Sequence, residues 1–89
     1  MPLIRNDTPE EKKFEVVKRV TEVLRKQGHK IIDVDGVRVS FPDGWGLIRA
    51  SNTQPLLVLR FEATTEPRLK EIRTLVESAL AGVKREVGA

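Results

Sequence analysis

Val37-Arg38-Val39-Ser40-Phe41-Pro42-Asp43-Gly44-Trp45-Gly46-Leu47-Ile48-Arg49-Ala50 is the stretch that decides the fold. From Val37 to Phe41 apolar residues take every second position, the period of a strand with one buried face. Pro42-Asp43-Gly44 then breaks the run with turn chemistry, since proline presets φ and glycine tolerates positive values. Trp45 to Ala50 resumes as a further strand, so two extended segments are joined by a tight connection.

Working outward, Lys30 to Val34 and the turn pair Asp35-Gly36 supply a strand and hairpin before Val37. Leu56 to Ala63 follows as a fourth strand, with Leu57, Leu59 and Phe61 facing one way and Arg60 and Glu62 the other. Before the strands, Asp7-Thr8-Pro9 with Glu11 reads as an N-cap, a first-turn proline and a capping box. Phe14, Val17, Val20 and Leu24, flanked by Val16 and Val23, carry an apolar stripe up to Gly28, which predicts a helix over residues 9–27. After the strands, Thr64-Thr65-Glu66-Pro67 opens a second helix with a stripe of Leu69, Ile72, Leu75, Val76, Ala79, Leu80 and Val83, ending near Gly88. The expected fold is α+β, a four-stranded antiparallel sheet with two helices on one face. Residues 1–7 read as a connecting arm and residues 8–89 as one domain.

Composition narrows the chemistry. The chain has 89 residues and no cysteine, which fits one domain and removes disulfides, thiolate metal sites and a Cys nucleophile. Sixteen Lys and Arg against thirteen Asp and Glu give a net charge of +3, and the signs interleave in runs such as Glu10-Glu11-Lys12-Lys13. That is the pattern of solvated helix faces, and with only three Phe and one Trp it argues against a nucleic-acid platform. No run approaches the roughly 20 apolar residues of a membrane span, so the expectation is a soluble, cytoplasmic chain with no nucleic-acid or membrane partner.

Between the third and fourth strands lies Ser51-Asn52-Thr53-Gln54-Pro55, preceded by Arg49-Ala50 at the end of the third strand. A phosphate dianion needs several donors at once, and a guanidinium fork matches two of its oxygens. Arg49 is placed as that fork, Ser51 and Thr53 add hydroxyls, and Asn52 adds an amide and tolerates left-handed backbone. Successive N–H groups could add an anion nest. The same residue types also occur in loops whose side chains serve only their own backbone, so composition leaves both readings open.

The longer string Asp35-Gly36-Val37-Arg38-Val39, Gly44 to Pro55 and Leu59-Arg60-Phe61-Glu62-Ala63 strongly resembles the C-terminal (fourth) domain of the α-D-phosphohexomutases, the phosphomannomutase/phosphoglucomutase group. The resemblance runs from about Arg5 to about Val83 and implies a TATA-binding-protein-like α+β fold. It also implies that Arg49, Ser51, Asn52 and Thr53 contact the non-transferred phosphate of a hexose 1-phosphate or 6-phosphate, in an enzyme working through a bisphosphate intermediate. Such an enzyme has three other domains, a phosphoserine and Mg2+. This chain contains no Ser-His-Asn-Pro, Asp-Gly-Asp-Gly-Asp or Gly-Glu-x-Ser-Gly-His run. The expectation is therefore a binding domain with no catalytic, metal or cofactor residues of its own, inactive alone, with residues 1–7 as an interdomain arm.

Other candidates carry less. His29, with no cysteine near it, reads as a solvated loop residue. Asp33 and Asp35 alternate along a strand, but Asp35-Gly36 is explained by the hairpin turn. Arg38 and Arg60 read as outward charges on the open sheet face. Trp45 between glycines fits either packing at the domain edge or contact with a neighbouring domain. The alternative function is an independent module binding RNA or protein through the open face, against which the absence of an aromatic platform argues.

Overall fold

Burial in the computed structural model, which describes residues 3–34 and 36–89, follows the strand alternation. The elements are β1 (Ile4–Asp7), α1 (Lys13–Lys26), β2 (Lys30–Ile32), β3 (Val37–Phe41), β4 (Gly44–Ala50), β5 (Leu56–Ala63) and α2 (Glu66–Val87). All neighbouring strands are antiparallel, in the order β1-β5-β4-β3-β2. Val37, Val39, Ile48, Leu57, Leu59 and Phe61 point into one core with Val16, Val20 and Leu24 of α1 and Ile72, Val76, Leu80 and Val83 of α2. Both helices therefore cover the same face. Arg38, Arg49, Arg60 and Glu62 alternate out of that core and are exposed.

The sheet has five strands rather than the expected four. Residues 4–7, read as part of an arm, pair with β5 in the register Ile4 with Leu59 and Asp7 with Leu56. A four-residue segment with a single apolar side chain carries little strand signal of its own, and the free edge of β5 supplies the order. The first helix starts at Lys13 rather than residue 9, and its N-cap residue Lys12 makes no side-chain cap bond. Thr8 does not cap it: its Oγ1 lies 3.4 Å from the Asn6 carbonyl and 3.3 Å from Asn6 Oδ1, and its N–H donates to the Pro55 carbonyl at 3.0 Å. The β2 strand stops at Ile32, short of Val34, and β4 begins one residue early at Gly44. Asp35, in the expected β2–β3 turn, lies outside the described residues, as do Met1 and Pro2.

The second helix matches its sequence signals at both ends. Thr65 is the N-cap, its hydroxyl accepting from Arg68 N–H, and Gly88 closes the C-terminus in the left-handed conformation. The close seating of α2 on β4 depends on Gly46, where an added Cβ would stand 3.1 Å from both the Phe61 ring and Val76 Cγ2. Two lysines tie elements together: Lys12 Nζ, at the start of α1, donates to the Val87 carbonyl of α2 at 2.6 Å, and Lys84 Nζ of α2 reaches the sheet at Asn6 Oδ1 and the Asp7 carbonyl, each at 2.7 Å.

Candidate anion-binding site

The β4–β5 connection is a turn built on one hydroxyl. Ser51 N–H donates to the Leu56 carbonyl at 3.0 Å and Leu56 N–H to the Gln54 carbonyl at 2.8 Å, which closes the loop. Inside it, Ser51 Oγ accepts from Gln54 N–H at 3.2 Å and from Thr53 N–H at 3.4 Å. A hydroxyl has two lone pairs and one proton. With both lone pairs turned to these amides, the proton of Ser51 is the group left to donate outward.

This geometry corrects two expectations. The amides of Ser51, Thr53 and Gln54 serve the turn itself and do not form a ready anion nest. Among the described residues only glycines have positive φ, so Asn52 is not left-handed. Side-chain donors also reach the surface here: Asn52 and Thr53 are exposed and Ser51 half-buried, with the exposed Arg49 two residues before Ser51. All four sequence candidates thus occupy one end of the sheet. Arg49 and Asn52, together with Phe14, Val17, Asp33 and Gly36, line a concavity of about 430 Å3. A larger groove of about 960 Å3, lined by Val23, Leu75 and Ala79 among others, includes no residue of the turn.

The residue that sequence reasoning missed is Lys13. Its side chain is 1% exposed, yet its ammonium donates to the carbonyls of Ser51 at 2.5 Å and Gln54 at 3.2 Å and pairs with Glu10 at 2.8 Å. The available signal was its phase: Lys13 precedes Val16, Val20 and Leu24 at helical spacing, on the face that enters the core.

Most of the remaining candidates have partners of their own. Asp33 pairs with Arg25 at 3.0 Å. His29 is half-buried rather than solvated, its ring edge-on to Phe41 with centroids 5.5 Å apart. Arg38 and Arg60 do face outward, and the Arg38 guanidinium stacks 4.5 Å above the Trp45 ring on the open sheet face. Among the described residues no three His, Cys, Asp or Glu side chains converge as metal ligands.

Comparison with known families settles the relationship. The sequence model of the phosphoglucomutase/phosphomannomutase C-terminal domain matches residues 3–79. The chain belongs to the phosphoglucomutase/phosphomannomutase C-terminal domain family. Phosphomannomutase/phosphoglucomutase of Pseudomonas aeruginosa strain PAO1 is 44% identical over 82 residues, covering 92% of this chain and 18% of the relative. Phosphoglucomutase of Neisseria gonorrhoeae is 53% identical over 51 residues, 57% of this chain and 11% of the relative. A solved phosphoglucomutase/phosphomannomutase family protein from Burkholderia thailandensis superposes with a TM-score of 0.79 at 33% identity, over 94% of this chain and 17% of that one. The mutase C-terminal domain therefore spans less than a fifth of the length of these relatives.

Proposed function

We propose that this chain is the substrate-phosphate-binding domain of a phosphohexomutase that interconverts hexose 1-phosphate and 6-phosphate through a bisphosphate intermediate. The observation that carries the reading is the Ser51 hydroxyl, whose acceptor capacity is consumed inside the turn, which leaves its proton to donate, in the same stretch of chain as Arg49, Asn52 and Thr53. Arg49 supplies the bidentate fork, Ser51 and Thr53 single hydroxyl donors, and Asn52 its amide. A grip on phosphate rather than on sugar hydroxyls serves a substrate that must be held by either end, leaving the other end positioned for transfer.

In this reading the phosphoryl donor, the magnesium ion and sugar selection belong to the other three domains, and the chain is inactive alone. The enzyme would be cytoplasmic; no helix among the described residues is long and apolar enough to cross a membrane.

The test is Arg49→Lys in the full-length enzyme. A point charge does not reproduce the fork, and phosphate held equally in ground and transition states affects KM more than kcat. The expected result is a KM for glucose 1-phosphate or mannose 1-phosphate raised by about tenfold, about 1.4 kcal/mol. Unchanged KM for both would remove Arg49 as the main ligand.

A further inference from the structure

Lys13 sits where neither its helix nor its burial accounts for it. A cation at the first residue of α1 opposes the helix dipole, and taking an ammonium out of water is costly unless its donors are satisfied. All three of its N–H donors have partners: the carbonyls of Ser51 and Gln54 and the carboxylate of Glu10. Two of the three belong to the turn.

The direction of those two carbonyls matters for an anion. A carbonyl oxygen turned outward would repel phosphate, and Lys13 holds both inward. In a trans peptide the N–H points opposite to the C=O, and the described residues contain no cis bond. Drawing the Ser51 carbonyl toward Lys13 therefore turns the Asn52 N–H away from it, to the ligand side. The other peptide so held precedes Pro55, which has no N–H to lose.

We infer that Lys13 is a positioning residue for the phosphate turn, fixing its carbonyls inward so that the Asn52 amide and the Ser51 hydroxyl face the anion. This inference rests on the phosphate-binding reading above. Lys13 does not touch substrate; it acts through the loop.

The experiment uses the full-length enzyme with Lys13→Met, Lys13→Gln and, as a control on the underlying reading, Arg49→Ala. Glucose 1-phosphate is the probe, and 15N-asparagine labelling follows the Asn52 amide. Lys13→Met should raise KM about tenfold with kcat changed less than about threefold, because uniform binding is lost. The downfield shift of Asn52 N–H on adding glucose 1-phosphate should disappear. Lys13→Gln keeps two N–H donors without the charge and should raise KM about threefold, giving a readout even where Lys13→Met does not fold. Wild-type KM and an intact Asn52 response in the Lys13 variants, with Arg49→Ala impaired, would overturn the role of Lys13 alone. An Arg49→Ala enzyme with unchanged KM would instead overturn phosphate binding by the turn.

Discussion

Gly36 is pressed against the carbonyl of Ile48, so closely that a Cβ built on it would lie 2.3 Å from that oxygen and 3.2 Å from Arg49 Cβ. Its φ of +90° adds backbone strain for any other residue. Gly28 offers a matched comparison, with φ of +86° but nothing within 4 Å of an added Cβ. Gly28→Ala should cost about 1–2 kcal/mol, the strain alone. Gly36→Ala should cost more than that and, on the proposed function, also raise the KM of the full-length enzyme for sugar phosphate, because it pushes on the backbone of Arg49. Thermal unfolding and steady-state kinetics of the two variants separate strain from collision, and equal losses would show that the Ile48 contact relaxes freely.

Ser51→Ala removes the oxygen on which the turn closes. Loss of its two acceptor bonds, to Thr53 N–H and Gln54 N–H, should lower stability by about 1 kcal/mol and speed hydrogen exchange at both amides. Ser51→Thr keeps the oxygen and should retain slow exchange. Identical exchange in wild type and Ser51→Ala would show that the hydroxyl does not organise the turn.

Lys84→Met tests what holds the fifth strand. Its ammonium joins α2 to Asn6 and Asp7, two bonds of 2.7 Å in a half-buried setting. Solvent screening reduces their worth to about 1 kcal/mol together. Hydrogen exchange at residues 4–7 should accelerate while the β3–β4 amides stay protected, and uniform exchange in the variant would mean that β5 pairing alone secures the strand.

Local patterns carried the centre of the fold and left its margins unread. The alternation of Val37, Val39 and Ile48 with Arg38 and Arg49 matches their burial, and the Thr65 cap and Gly88 stop appear as their residue types suggest. The β1 strand was hidden because its partner, Leu56–Leu59, lies some fifty positions away in the chain. The start of α1 was misread because Thr8 spends its groups on Asn6 and Pro55 rather than on the helix. At the turn, residue types together with the family resemblance nominate Arg49, Ser51, Asn52 and Thr53, whereas the direction of each amide depends on hydrogen bonds that composition cannot order. Lys13 escaped because lysine is almost always a surface residue, and only the helical phase contradicts that expectation.

The pairing of Ile4–Asp7 with Leu59–Leu56 continues through Thr8 N–H to the Pro55 carbonyl, the last residue of the turn. A pull on residues 4–8 is thus loaded onto the turn through a ladder perpendicular to the strands, with no slack segment between them. Strand β1 and the turn are thereby joined by one continuous run of backbone hydrogen bonds. Rotation of that strand would swing Ser51 to Thr53 as a unit, so the turn would change its position in space before it changed its shape.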